Sequence, residues 1–220
     1  HVGSTTTASS VKAAKAARES GCAAICCVPP VVYVPSEDSL IEHYQRVADA
    51  ADLPFFAYNL PQMCQFEIQP SLMEKLQKAV PQLVGLKHSA LNFSNVGIYA
   101  SMGPRVFTGN GFLLMPALAN RAIGVVDAPP SVAPWTYVEL FDAWEAGDME
   151  TATARQIETQ AITELTRAYR TAQHNTKLII GARTGVDCGV PLPPVNTLDE
   201  AGAKQLLREA DALGLTTARA

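Results

Sequence analysis

The chain has 220 residues, 48% of them hydrophobic, and a formal net charge of -4, which is typical of a globular protein with one sizeable core. Its 17 Lys and Arg residues are outnumbered by 21 Asp and Glu residues and form no basic block, so we expect no nucleic-acid partner. No apolar run approaches the roughly 20 residues that cross a bilayer, and the first ten residues lack the pattern of a signal peptide. These features predict a cytoplasmic protein without a membrane partner.

Short apolar runs alternate with longer helical patterns along the chain, which predicts βα units and a parallel sheet. The predicted strands are residues 23–28, 53–58, 83–87, 106–109 and 122–127. None of these runs alternates cleanly between apolar and polar residues, so we expect each strand to be buried on both faces. This pattern alone is compatible with a (β/α)8 barrel and with an open, doubly wound sheet.

Capping residues delimit the predicted helices. Ser9 or Ser10 is expected to begin the first helix, which covers residues 11–20 and stops at Gly21. The other predicted helices cover residues 36–49, 70–78, 138–171 with a break at 147–148, and 199–212. His43 and His174 lie in helical stretches and are predicted to be on the surface.

The five cysteines indicate packing rather than a metal site. They are Cys22, Cys26, Cys27, Cys64 and Cys188, an odd number that suits reduced thiols. The Cys26-Cys27 pair has neither the spacing nor the nearby histidine of a zinc site. We therefore expect no metal.

Reactive groups in parallel barrels lie at the C-terminal ends of strands. Lys87 ends one apolar run, and a buried lysine is paired, functional or held neutral, in which form its amine can attack a carbonyl. Tyr58 ends an earlier run, where a phenol can relay protons. The structural alternatives are a lysine that reaches solvent and a tyrosine packed in the core.

Two further features adjoin these strand ends. Residues 109–111, Gly-Asn-Gly, predict a tight turn with positive φ. His88 follows Lys87 directly, so its side chain is expected on the opposite face of the strand.

Four motifs together resemble the dihydrodipicolinate synthase and N-acetylneuraminate lyase family. They are His-Val-Gly-Ser at 1–4, Tyr-Asn-Leu-Pro at 58–61, Gly-Leu-Lys-His-Ser at 85–89 and Thr-Gly-Asn-Gly at 108–111. The resemblance covers essentially the whole chain and implies a TIM barrel with a C-terminal helical extension. It identifies Lys87 as the imine-forming lysine and Tyr58 as the proton shuttle.

The resemblance also implies the remaining organisation. Ser89, Gly109, Asn110 and Gly111 become candidates for substrate binding, and no metal or organic cofactor is expected. Residues 1–137 would form βα units 3 to 8 of the barrel, and residues 138–220 the last barrel helix and the extension. Five predicted strands and the end of another at residues 1–3 are too few for an eight-stranded barrel of about 250 residues, so we expect the first two βα units to be absent from this chain. A homo-oligomer, tetramer or dimer, is the expected assembly.

The motifs are more similar to the N-acetylneuraminate lyase branch than to the synthase branch. Synthases carry an arginine two residues after Tyr-Asn-x-Pro, whereas this chain reads Gln62-Met63-Cys64. Sialic acid lyases carry acidic residues where this chain has Asn110-Gly111-Phe112. We therefore predict a Schiff-base lyase or aldolase that converts a 2-oxo acid to pyruvate and an aldehyde. The alternatives are a catalytically impaired member acting as a binding or structural subunit, and a dihydrodipicolinate synthase-like or dehydratase activity.

Overall fold

The computed structural model describes residues 1–217, which divide into two compact units. The first unit comprises residues 1–109 and 116–125, and the second comprises residues 110–115 and 126–220, of which 218–220 lie outside the described range. No helix within residues 1–217 is long and apolar enough to span a membrane.

Parallel strands form the centre of the first unit. Within residues 1–217 they are β1 (Ile25–Cys27), β2 (Phe55–Asn59), β3 (Leu83–His88), β4 (Arg105–Thr108) and β5 (Gly124–Val125). All neighbouring pairs are parallel, and the order in the sheet, β1-β2-β3-β4-β5, is the order in the chain. A doubly wound sheet reverses its strand order at a switch point, so this continuous order agrees with the barrel architecture.

Helices connect and follow the strands. In chain order they are α1 (Thr7–Glu19), α2 (Glu37–Ala51), α3 (Pro61–Cys64), α4 (Pro70–Ala79), α5 (Asn95–Ser101), α6 (Leu114–Ala119), α7 (Pro129–Val132), α8 (Pro134–Ala146), α9 (Met149–Arg167), α10 (Ala172–Thr184) and α11 (Glu200–Ala212). Short 3₁₀ turns occupy Gly111–Leu113 and Ala168–Arg170. Ser36 and Asp199 cap α2 and α11 with their side chains, because each accepts a hydrogen bond from a backbone N–H of the first turn.

The start of α1 differs from the prediction. Thr6, rather than Ser9 or Ser10, is the N-cap residue, and its hydroxyl accepts the Ser9 N–H at 3.2 Å. The helix therefore begins four residues before the predicted 11–20 stretch. A run of threonine and serine offers several equivalent caps, and side-chain hydroxyls alone do not distinguish them.

The core of the first unit lies between the strands and the helices. Ile25, Phe55, Leu86 and Val106 are buried on the helix-facing side of the sheet. On the other face of β2, Phe56 and Tyr58 are only half-buried. The prediction that every strand is buried on both faces is therefore wrong for β2 within the described residues.

His43 is buried, which corrects its predicted surface position. Its Nδ1 lies 2.9 Å from the Thr7 hydroxyl, and its Nε2 lies 3.7 Å from the Cys27 thiol. Burial lowers the pKa of His43, with a smaller contribution from Arg46. His43 is buried because it lies on the same face of α2 as the buried residues Leu40, Tyr44 and Val47.

The second unit is helical and has its own core. Val132, Ile162, Ile179 and Leu206 are buried members of this core. His174 is also buried, contrary to the predicted surface position, and its Nδ1 accepts the Leu198 N–H at 2.8 Å. A backbone N–H in a segment without regular structure needs a partner, and His174 supplies it.

Candidate active site

Lys87 and Tyr58 lie side by side on one face of the sheet. The Cα atoms of the two residues are register partners across β2 and β3. The Lys87 Nζ lies 4.1 Å from the centroid of the Tyr58 ring, and both side chains are half-buried. An amine and a phenol therefore meet near the C-terminal ends of two adjacent parallel strands, where barrels carry their reactive groups.

Aromatic rings line the same face next to this pair. Phe56 lies two residues before Tyr58, and its ring centroid is 5.9 Å from that of Phe107. A Cβ on Gly85 would lie 2.2 Å from Phe56 Cε1, so only glycine leaves room for this ring. The lack of a side chain at Gly85, the glycine of the Gly-Leu-Lys motif, thus allows the Phe56 ring to pack on this face, close to the Lys87 amine.

Asn59 and His88 occupy the opposite face and are fully buried. Asn59 Nδ2 donates to His88 Nδ1 at 3.3 Å, and His88 Nε2 lies 3.1 Å from the carbonyl of Asn92. These partners suit a neutral imidazole with its proton on Nε2. Burial lowers the pKa of His88 in agreement with that form. His88 therefore points away from the amine, as predicted.

Ser89 is packed between Tyr58 and Gly109. Its backbone N–H donates to the Asn59 carbonyl at 2.9 Å, and its hydroxyl lies 3.5 Å from the Tyr58 hydroxyl. A Cβ on Gly109 would lie 1.6 Å from Ser89 Oγ and 3.3 Å from Lys87 Cε. The expectation of positive φ at 109–111 is wrong, since neither glycine of this stretch adopts it. Gly109 is required by close approach.

Cys26 belongs to the first unit, and the charge of the Lys87 amine affects the pKa of its thiol. Burial raises the pKa of its thiol to about 11, and the positive charge of Lys87 opposes part of this effect. A thiol with that pKa is protonated at neutral pH and is a poor nucleophile. Cys26 is therefore best described as a packing residue.

Asn110 and Gly111 lie in the second unit. The Gly111 N–H donates to Asp127 Oδ2 at 2.9 Å, and the same carboxylate oxygen lies 3.7 Å from Arg167. The guanidinium of Arg167 also covers the ring of Phe112, 5.4 Å from its centroid. The stretch that lacks the acidic residues of sialic acid lyases is thus next to a cation.

A cavity of about 520 Å³ adjoins this cluster within the second unit. Its lining combines apolar, amide, hydroxyl and charged groups, namely Phe112, Leu113, Gln160, Thr163, Glu164 and Arg167. Such a mixture can accommodate a small polar molecule.

Sequence reasoning missed two residues of these clusters. Gln62 donates from Nε2 to the carbonyl of Ser89 at 2.8 Å, a contact between residues 27 positions apart. Arg167 lies on α9, far along the chain from Phe112. Neither contact has a local signal in the sequence, because both depend on how separate segments fold together.

Comparison with known proteins places these observations in a family. The model of the dihydrodipicolinate synthetase family matches residues 1–213. The chain belongs to this family. Its members are class I lyases that form a Schiff base through a lysine, and this chain is an enzyme of that class.

Curated relatives match nearly the whole chain at modest identity. The 4-hydroxy-tetrahydrodipicolinate synthase of Methanopyrus kandleri is 28% identical over 217 residues, which cover 97% of this chain and 71% of the relative. An uncharacterized DapA-like lyase of Halobacterium salinarum is 30% identical over 218 residues, covering 97% of this chain and 70% of the relative.

Solved structures establish the barrel fold. The sialic acid aldolase of Ruminococcus gnavus matches with a TM-score of 0.91 at 21% identity, over 97% of this chain and 72% of that one. YagE of E. coli, a member of the dihydrodipicolinic acid synthase family solved with pyruvate, matches with a TM-score of 0.86 at 24% identity, over 97% and 74% of the chains. The described strands are thus part of a TIM-barrel fold.

Proposed function

We propose that this enzyme cleaves a 4-hydroxy-2-oxo acid to pyruvate and an aldehyde, with Lys87 as the Schiff-base lysine. The observation that carries the proposal is the position of the Lys87 amine, 4.1 Å from the ring centroid of Tyr58 on one face of the sheet. A nucleophile and a group able to transfer protons are then in reach of one bound substrate.

The proposed chemistry begins with attack of the neutral Lys87 amine on the keto carbon. The carbinolamine loses water to give a protonated imine. Removal of the proton from the C4 hydroxyl releases the aldehyde as the C3–C4 bond breaks, and the bonding pair moves into the enamine. The Tyr58 phenol relays protons in these steps, the enamine is protonated at C3, and water releases pyruvate and restores the amine.

The surrounding groups would position the substrate. We assign Ser89 and the backbone of Gly109 to the 2-oxo acid because both flank the Lys87–Tyr58 pair. Asn110 and Gly111 are assigned to the aldehyde portion on the basis of the family resemblance. The absence of a guanidinium at Gln62-Met63-Cys64 supports a lyase similar to N-acetylneuraminate lyase.

A second candidate is 4-hydroxy-tetrahydrodipicolinate synthase-like condensation. It is favoured by the names of curated relatives at 24–30% identity. Both candidates use the same imine, so the fate of the aldehyde distinguishes them.

Product analysis tests the proposal. N-acetylneuraminate and a shorter 4-hydroxy-2-oxo acid are supplied separately, and the pyruvate released is measured with a lactate dehydrogenase assay. We expect release from at least one of them, with loss to background in Lys87→Ala and retention in Lys12→Ala, which alters an exposed lysine of α1. Release that persists in Lys87→Ala, or its absence with both acids, would contradict the proposed function.

We further propose that the enzyme is a homo-oligomer, a dimer or a tetramer, as the family resemblance implies. Light scattering of the purified protein measures its mass directly. A monomeric mass at micromolar concentration would refute this assembly.

A further inference from the structure

Gln62 connects a short helix to the segment that carries Ser89. It is the second residue of α3, which begins two residues after Asn59. Its Nε2 donates to the Ser89 carbonyl at 2.8 Å, while the Ser89 N–H donates to the Asn59 carbonyl at 2.9 Å. Both backbone polar groups of Ser89 are thus held by the segment that follows Tyr58.

The loop that bears Gln62 is itself firmly anchored. Asn59 Oδ1 accepts the Ile68 N–H at 3.0 Å, and Asn59 Nδ2 donates to the Ile68 carbonyl at 3.3 Å. The buried Tyr99 hydroxyl donates to the same carbonyl at 2.5 Å. These bonds close residues 60–68 into a loop with fixed ends, so the Gln62 amide acts from a rigid support.

The hydroxyl of Ser89 depends on this support. It lies 3.5 Å from the Tyr58 hydroxyl, beyond the about 2.5–3.0 Å of a normal O–H···O hydrogen bond, so the contact is weak and a small displacement breaks it. Gly109 limits Ser89 from the other side, where even a single Cβ would collide with it. The Gln62 bond therefore acts with the Asn59 bond and the Gly109 contact to fix the distance between Ser89 and the phenol.

We propose that Gln62 is a positioning residue for proton transfer, holding Ser89 so that its hydroxyl orients the phenol of Tyr58 beside Lys87. This role rests on the proposed function, because it presupposes the imine on Lys87. Gln62 itself touches no reacting atom in this scheme. Its loss should slow proton transfer and leave formation of the imine nearly intact.

Gln62→Leu and Gln62→Glu test the role. Both remove the amide donor at similar size, and Gln77→Leu is the matched control, since Gln77 Nε2 also donates to a backbone carbonyl, that of Met102, at 3.2 Å. Two quantities are measured with pyruvate: the yield of borohydride-trapped adduct at saturation, and the rate of deuterium exchange into the methyl group in D2O. Exchange requires proton removal from the imine, whereas the adduct does not.

We expect kcat for exchange to fall at least about tenfold in Gln62→Leu, which is a part of the about 10²–10⁴-fold that general acid–base catalysis supplies. Adduct yield and the KM for pyruvate should change less than about twofold on this account of proton transfer. Gln77→Leu should exchange at the wild-type rate. The exchange rate of Gln62→Glu, divided by that of the wild type, should rise as the pH falls from 7.5 to 5, because a protonated carboxyl can again donate to the Ser89 carbonyl.

Wild-type exchange rates in Gln62→Leu, an equal loss in Gln77→Leu, or a rise in KM with unchanged kcat would overturn the positioning role alone. A wild-type protein that forms no adduct would overturn the proposed function and this role together. The positioning role would also be contradicted if the relative exchange rate of Gln62→Glu were as independent of pH as that of Gln62→Leu.

Discussion

Replacement of Gly109 by alanine is the most incisive steric test of the candidate site. A Cβ at this position would lie 1.6 Å from Ser89 Oγ, 2.8 Å from Ser89 Cβ and 3.3 Å from Lys87 Cε. Rotation of the serine hydroxyl relieves the first contact but not the second. The backbone of one of the two segments must therefore move.

This movement has an expected magnitude. Overpacking of a well-packed interior costs about 1–3 kcal/mol in the free energy of unfolding. A shift of about 1 Å between reacting groups can reduce rate about 10²-fold, so the loss of activity should exceed what the loss of stability explains. We expect the rate of borohydride-trapped adduct formation with pyruvate to fall at least about tenfold on the same reasoning.

Gly97→Ala provides the control. Gly97 lies in α5 without positive φ, and its added Cβ would meet Asn120 Oδ1 at 3.1 Å, the end of a side chain that can move. Urea denaturation measures stability, and mass spectrometry of quenched samples measures the adduct rate. If Gly109→Ala matched Gly97→Ala in both quantities, the packing around Ser89 would not control the site.

Three further predictions concern the site and the fold. Tyr58→Phe should lower kcat for pyruvate release about 10²–10⁴-fold while the trapped adduct remains, and an unchanged kcat would remove the phenol from the mechanism. Burial lowers the pKa of His43 and of His88, so below about pH 6.5 the unfolded chain binds more protons than the folded chain. The free energy of unfolding should therefore decrease as the pH falls below this value. A urea midpoint that stays constant from pH 7.5 to 5.5 would contradict this prediction. Ser36→Ala should lower the free energy of unfolding by about 1 kcal/mol through loss of the N-cap bond to α2, and an unchanged urea midpoint would show that water replaces this bond.

The arrangement of strands and helices was predictable because each element has a local signal. All the predicted strands occur in the structure within residues 1–217, although β5 is reduced to Gly124–Val125. The helices predicted to start at residues 36 and 199 begin one residue later, with Ser36 and Asp199 as their N-caps. Apolar runs and capping residues act over a few positions, which is why a single sequence reveals them.

Burial and close packing were less predictable. His43 and His174 are buried although they are polar, because partners far along the chain, Thr7 and Leu198, satisfy their ring nitrogens. Gly109 was attributed to a turn with positive φ, whereas the structure requires it for its lack of a Cβ. In each case the decisive atom belongs to a segment distant in sequence.

The candidate site shows the same division. The position of a residue at the end of a strand pointed to Lys87 and Tyr58, and the register of β2 with β3 brings the two side chains together. The bond from Gln62 to Ser89 could not be anticipated, since it joins two loops through a side chain and a carbonyl. The catalytic roles of all these residues remain predictions.

Borohydride trapping with pyruvate is a direct test of Lys87 as the Schiff-base residue. The intact protein is incubated with pyruvate, reduced, digested and analysed by mass spectrometry, with Lys12→Ala and Lys87→Ala treated in parallel. We expect one adduct, on the peptide that contains Lys87, which is present in Lys12→Ala and absent in Lys87→Ala. An adduct on another lysine, or none in the folded wild-type protein, would contradict the assignment of Lys87 as the Schiff-base residue.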